Sequence, residues 1–398
     1  MNIIFLNYMV PREQSSKYAG ISIAGNKMQI NVAEELSKIE NCNVNVLSLE
    51  PYACFPKDKI KIVKGKKQKL NNIDYQTISY INLPILKQLS QIHFMKKELK
   101  KFKNSNDTIV MGFNLFPQIG IPFQYAIKKN MKAVCLLADV PIDDATQRSI
   151  FSKILRYFFD SNTRSNLRKC DNYIVLSRYV AEEYLKKNDA LIIEGGVDRN
   201  DIQKKVKKTF NTNTNEKIII TFSGALTEYN GIRTLLKSFE YIDSEKVKLN
   251  IYGNGDLKSE VIKAQENDNR IQYCGIVNNE KMRQIQKESD ILINPRQIDN
   301  IISRYTFPSK TFEYFLSQVL VISTKIPSYP DEYLDKMIIA EDSPKGIADA
   351  IKKGINMDSK EKERMINRAY EFIINEKTWE KQANKIYIYL ENVLNAQI

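Results

Sequence analysis

Two cations and a carboxylate, Arg296, Lys310 and Glu313, fall in one short run, Asn294-Pro295-Arg296 … Tyr305-Thr306-Phe307-Pro308-Ser309-Lys310-Thr311-Phe312-Glu313-Tyr314. The run follows an apolar strand-like stretch, Asp290 to Ile293, and opens a helix. Open α/β sheets hold their ligands at such a place. Pro308 and Ser309 predict the helix start, with Ser309 as its N-cap. The first-turn N–H groups and the positive end of the helix dipole then face an anion, joined by Arg296 and Lys310. A carboxylate at Glu313 can accept from two neighbouring sugar hydroxyls. A diphosphate plus a ribose satisfies all of these groups together. The competing reading is that Glu313 only offsets the dipole. It stands four residues after Ser309, whereas a capping box needs three, and this favours a ligand contact.

Glycines end two strand-like runs of the same half. Ser223-Gly224 closes one and Gly253-Asn254-Gly255-Asp256 the next. Glycine lets backbone approach a phosphate or sugar, although βα turns also use it for steric reasons. In the first half, Gly20 and Gly25 lie between the first strand and the first helix, where a loop could meet phosphates. Ala138-Asp139-Val140-Pro141 puts a lone carboxylate at the end of another apolar run. Asp139 is either an acceptor-side catalytic group or a turn aspartate before proline. No D-x-D triplet occurs, so a metal held by clustered carboxylates is not expected. Fixed cations would stabilise a departing diphosphate instead. P-loop and G-x-G-x-x-G patterns are both missing, which argues against the nucleotide enzymes built on them.

The elements that must position these residues follow βαβ grammar. Strands are predicted at 2–7, 43–49, 108–111, 133–138, 173–176 and 191–193. Helical periodicity lies between them at 25–38, 147–168 and 178–187. A polar break from Val197 to Glu216 predicts a linker at 199–216. The grammar restarts with strands at 217–222, 247–252, 270–273, 290–293, 320–323 and 337–340, and helices at 231–241, 279–288 and 311–316. The expected fold class is α/β, with two doubly wound Rossmann-like domains facing across a cleft. They would span 1–198 and, as a nucleotide-binding domain, 217–376. A last helix at 377–398, striped with Trp379, Ala383, Ile386, Tyr387 and Leu390, would cross back onto the first domain.

Composition sets the class. The chain has 398 residues, enough for two cores, with 43% hydrophobic and 27% charged residues. Five cysteines are scattered without C-x-x-C spacing, which predicts reduced thiols in the cytoplasm. With His93 the only histidine, histidine-built zinc sites and Ser-His-Asp chemistry are nearly excluded. No apolar run of spanning length occurs; the nearest, 108–127, is broken by Asn114, Pro117 and Pro122. The formal charge of +13 is concentrated at Lys57–Lys69 and around the apolar run 78–94. Nucleic acid is not expected, since no recognition motif accompanies the charge. An amphipathic basic face on an anionic inner membrane surface fits better, against the plainer reading of a solvated lysine-rich surface.

Taken together these residues resemble the retaining nucleotide-sugar glycosyltransferases of the GT-B fold, the group 1 or family-four type that includes capsule and lipopolysaccharide enzymes. The resemblance is clearest in Ser223-Gly224 … Asn230-Gly231, Leu249-Asn250-Ile251-Tyr252-Gly253-Asn254-Gly255, Asp290 … Asn294-Pro295 and Phe307-Pro308-Ser309-Lys310 … Glu313, with Thr378-Trp379-Glu380 as the closing segment. It implies transfer of a hexose-type sugar from a nucleotide-diphosphate donor to a saccharide, expected to be lipid-linked. With no D-x-D triplet, no metal or other cofactor is expected beside the donor. Arg296 and Lys310 would hold the diphosphate and Glu313 the ribose, within a donor site of Gly20, Gly224, Gly253, Asn254 and Tyr305 to Ser309. Three features, at four positions, depart from the family. Tyr305 stands for the first glutamate of E-x7-E, Ala225 and Asn230 stand for the usual Arg and Lys, and Asp139 replaces a histidine. An inactive scaffolding paralogue, or an epimerase or hydrolase on the same fold, are the alternatives.

Overall fold

The computed structural model describes residues 1–18, 21–141, 150–187, 189–202 and 217–396. Within them the chain forms two compact units, one of residues 1–195 with 379–398 and one of residues 196–378.

In the first unit the strands are β1 (Asn2–Asn7), β2 (Asn43–Ser48), β3 (Ile62–Val63), β4 (Lys67–Leu70), β5 (Ile73–Thr77), β6 (Tyr80–Ile81), β7 (Thr108–Phe113), β8 (Lys132–Leu137), β9 (Asn172–Val175) and β10 (Leu191–Ile192). Eight of them form one sheet in the order β10-β9-β8-β7-β1-β2-β5-β4, parallel except for the β4–β5 edge. The order reverses at β1, between β2 and β7, which makes a switch point there. Helices α1 (Ile23–Leu36), α2 (Leu86–Leu99), α3 (Pro117–Ile127) and α4 (Ile150–Arg168) connect the strands. The broken apolar run 108–127 thus becomes a buried strand and a helix with Pro117 in its first turn.

The lysine-rich stretch 57–69 carries strands that were not expected there. It holds β3 and β4, and the strand that follows, β5, enters the main sheet with Ile73, Tyr75 and Thr77 buried. The period-2 pattern of β5 is only five residues long, and the neighbouring lysines hide it from the sequence.

The second unit carries β11 (Ile218–Ser223), β12 (Val247–Tyr252), β13 (Ile271–Gly275), β14 (Ile291–Asn294), β15 (Leu320–Thr324) and β16 (Ile338–Ala340). All pair in parallel in the order β13-β12-β11-β14-β15-β16, so the switch point lies between β11 and β14. Its helices are α5 (Ile232–Ser238), α6 (Lys258–Asn267), α7 (Asn279–Glu288), α8 (Ile301–Tyr305), α9 (Lys310–Leu316), α10 (Pro344–Asn356) and α11 (Ser359–Glu376). Residues 199–202, expected in a linker, belong to this unit: Ile202 packs on its aromatic core and Asp201 pairs with Arg283 at 3.0 Å. The rest of the expected linker, 203–216, lies outside the described residues.

The last helix, α12 (Trp379–Asn395), belongs to the first unit. Trp379, Ala383, Ile386, Leu390 and Val393 recur every three or four residues and enter the core built by β1, β7 and α1. Tyr173 N–H donates to the Tyr389 hydroxyl at 3.1 Å, which fixes the helix against β9.

Candidate functional site

In the second unit the expected residues converge where β11, β12 and β14 end. Asn294 closes β14, and its amide donates to Tyr329 Oη at 3.1 Å and Ser323 Oγ at 3.3 Å. That anchorage fixes the loop carrying Arg296. The Arg296 side chain is only 5% exposed; it donates to Thr306 Oγ1 at 2.7 Å and its guanidinium lies 5.3 Å from the Tyr229 ring centre. Its Nε is buried without a partner. Burial pushes the Arg296 pKa down, opposed by Tyr229 and Tyr329.

Lys310 starts α9. The helix is fixed beneath by Tyr314, whose hydroxyl accepts from Ser223 N–H at 3.3 Å, and by Thr311, whose hydroxyl is 2.8 Å from Tyr329 Oη. This brings the Lys310 ammonium against the peptide of Gly224, 5.0 Å from the Phe222 ring centre. Burial lowers the Lys310 pKa to about 8, with Glu313 opposing the shift and Arg296 adding to it. Neither Lys310 nor Arg296 forms an ion pair among the described residues. Two desolvated cations without a bonded carboxylate are costly unless an anion joins them.

Gly224 has φ +153° and Gly253 φ +136°, conformations that L side chains rarely adopt. They let the loops after β11 and β12 lie in contact, joined by Gly224 N–H to Tyr252 O and Leu226 N–H to Asn254 O, each 2.9 Å. Asn254 is exposed beside them. Glu313 is exposed on the first turn of α9.

Several expected residues take other places. Ser309 stands at the N-cap position but has helical backbone (φ −53°, ψ −23°) and makes no side-chain cap. Thr311 N–H already bonds to Pro308 O, so the turn begins one residue earlier than Ser309 predicts. Phe307 is buried among Phe312, Tyr329 and Tyr333, with ring centres 5.1–5.6 Å away, so only its backbone can reach a ligand. Pro308 is buried too, and Tyr305 closes α8 partly buried. Gly20 lies outside the described residues. Asn230 turns inward and donates to Ala225 O at 2.8 Å and Thr227 Oγ1 at 3.0 Å.

Asp139 belongs to the first unit, just after β8. It borders a cavity of about 530 Å³ lined by Phe116, Val140, Pro141, Arg156, Phe159 and Asp160. Asn114, expected from the sequence only to interrupt the apolar run 108–127, holds it. The Asn114 Oδ1 accepts from Ala138 N–H at 2.8 Å and Asp139 N–H at 3.0 Å, and its Nδ2 donates to Asp139 Oδ2 at 3.0 Å. Asn114 is buried and left-handed (φ 59°), a conformation asparagine tolerates. An asparagine just past a strand end was the available signal. Burial pushes the Asp139 pKa up, and the Asn114 hydrogen bond opposes this. Among the described residues no group of three or more His, Cys, Asp and Glu could hold a metal ion.

Residues 217–356 match the family model described as Glycosyl transferases group 1. Several solved structures are similar over the whole chain. HepE (Alr3699) of Anabaena, solved in complex with UDP, aligns with TM-score 0.68 and 12% identity, covering 98% of this chain and 100% of that one. Sucrose-phosphate synthase from Thermosynechococcus elongatus aligns at 0.67 and 12%, covering 100% of each. A glycosyltransferase from Rickettsia africae aligns at 0.65 and 17%, covering 100% and 99%. At these identities the likeness concerns the fold. None of the curated proteins compared with the sequence matches it.

Proposed function

We propose that this chain, a group 1 glycosyltransferase with the GT-B fold, transfers a sugar from a nucleoside diphosphate donor to a saccharide acceptor without a metal ion. The observation that carries the reading is the pair Lys310, half-buried against the Gly224 peptide, and Arg296, only 5% exposed, neither ion-paired with a carboxylate among the described residues. A diphosphate supplies the missing negative charge. In the transfer the acceptor oxygen bonds to the anomeric carbon as the bond from that carbon to the diphosphate oxygen breaks. The acceptor proton leaves with the diphosphate, and attack from the leaving-group face retains configuration. Lys310 and Arg296 stabilise the charge that develops on the departing oxygen. Glu313 is assigned to the ribose hydroxyls and Asp139 to the acceptor side. The uridine of HepE makes UDP the first donor base to try, and the acceptor is expected to be a lipid-linked glycan of the cell surface.

Thermal stabilisation by UDP, GDP, ADP and their sugar conjugates tests this, with Lys310→Ala and Glu313→Ala in parallel and with EDTA present or absent. One nucleotide should raise the melting temperature, both variants should lose the shift, and EDTA should not alter it. A second reading, a scaffolding paralogue without activity, draws on Asn230, whose side chain is committed to the loop where relatives place a cation. A well-folded wild type that no nucleotide stabilises would favour it. Donor consumed equally fast without any acceptor would instead indicate a hydrolase or epimerase.

A further inference from the structure

We infer that the face made by the β3–β6 ribbon and the outer side of α2 docks on an anionic lipid bilayer surface. Its parts are tied into one body. Ile62 pairs with Ile81 across the ribbon, Asn82 N–H donates to Lys61 O at 2.7 Å, and Ile81 N–H donates to Ser90 Oγ of α2 at 3.0 Å. From this body large apolar side chains project into solvent: Ile62 is 64% exposed, Ile85 82% and Leu89 59%. Ile85 holds a positive φ of 65°, unusual for a β-branched residue, and gains no burial from it. Along α2 the exposed positions are Leu86, Leu89, His93 and Lys97, followed by Lys100 at its C-cap. They make one stripe, apolar at the start and cationic at the end.

Charge selects the occupant. Residues 54–70 and 79–97 together hold ten lysines and one acidic residue, Asp58, whose Oδ2 accepts from Ala53 N–H at 2.9 Å. Lys57, Lys59, Lys61 and Lys64 are all exposed around the projecting isoleucines. The apolar residues protrude singly from strand, turn and helix rather than lining a groove. A fluid sheet of anionic headgroups can receive such points together while the ammonium groups stay at the headgroup level. Nucleic acid would answer the lysines but leave the isoleucines and leucines in water. Among the described residues no helix is long and apolar enough to cross a membrane, so the contact is with the surface.

Vesicle flotation tests the inference and uses no nucleotide, so its outcome is separate from that of the donor-site reading. The full chain is mixed with phosphatidylcholine vesicles that contain or lack phosphatidylglycerol. Two double variants accompany it, Ile85→Ser with Leu89→Ser and Lys59→Glu with Lys61→Glu. The wild type should float with the anionic vesicles and not with the neutral ones, and high salt should release it. Each double variant should lower partitioning about tenfold or more while melting like the wild type, because all four side chains are exposed. Failure of the wild type to float, or flotation that both variants retain, would overturn the inference. A dimer in light scattering that the Ile85→Ser, Leu89→Ser protein lacks would assign the face to a second copy of this chain instead.

Discussion

The Lys310 ammonium fills the space beside Gly224 where a side chain would begin: a Cβ on Gly224 would stand 1.5 Å from Nζ and 2.6 Å from Cε. Because the obstructing atoms end a flexible side chain, Gly224→Ala should displace Lys310 rather than unfold the unit. The alanine also inherits φ +153°, at a cost of roughly 1–3 kcal/mol. The expected result is a folded protein with a modestly lower melting temperature and no thermal shift with UDP. Gly253→Ala differs, since its Cβ would meet the Gly224 carbonyl oxygen at 1.8 Å and backbone cannot swing aside. That variant should be the less stable of the two in a melting comparison.

Removing the lysine charge should stabilise the empty protein and abolish binding. Burial lowers the Lys310 pKa from 10.5 to about 8, so below about 8 the unfolded chain holds this proton more tightly than the native one. The penalty is full there and fades as pH rises to 10.5, so unliganded stability should climb through that window. Near neutral pH, Lys310→Met should therefore gain up to roughly 3 kcal/mol in urea unfolding. A bound diphosphate favours the charged lysine, so nucleotide affinity should fall as pH rises above about 8 in calorimetric titrations. A wild-type affinity that is flat across this range would remove Lys310 from the donor contact.

Much of this site was legible in the chain because its parts are local. The strand Asp290 to Ile293, the turn with Asn294-Pro295-Arg296 and the Lys310-to-Glu313 spacing each carry their meaning within a few residues. The Lys310–Gly224 contact was not legible, since it joins the end of β11 to the start of α9, far apart in sequence. Phe307 misled for the opposite reason. The aromatic core that claims it comes largely from Tyr329 and Tyr333 further along the chain. Ser309 has the composition of a cap, yet the helical turn starts at Pro308 and leaves it no capping geometry. In the first unit β4 and β5 were hidden by lysines whose side chains lie outside the sheet.

Asp139 and Asn114 should separate activity from stability. With a folded pKa raised above the usual aspartate value of 3.8, Asp139 is stabilising when protonated, and that contribution is lost as pH rises through the raised pKa. Asp139→Asn should therefore be more stable than wild type near neutral pH and less so in acid, while transfer to an acceptor drops. Asn114→Ala strips two backbone N–H groups and the carboxylate of a buried partner, and should cost roughly 2–4 kcal/mol in chemical unfolding. Both variants should keep the UDP thermal shift, because Asp139 and Asn114 belong to the first unit and the cation pair to the second. A lost shift in Asp139→Asn would show that its role is not confined to the acceptor.

Trp379 is the only tryptophan of the chain, and it is buried in the first unit at the start of α12. Its emission therefore reports on the packing of that helix. Ile386 lies two turns further along the same stripe, fully buried between α1 and the sheet. Ile386→Ala removes three carbons from a packed core and leaves a cavity, a change that costs about 2–5 kcal/mol. In urea the red shift of Trp379 emission should move to lower denaturant by a corresponding amount. The groups assigned to the diphosphate, Gly224, Arg296 and Lys310, belong to the second unit and α12 to the first, so UDP should still stabilise the second unit against heat. If Ile386→Ala removed the nucleotide shift while Trp379 stayed buried, α12 would be coupled to the donor site, and its core role would be secondary.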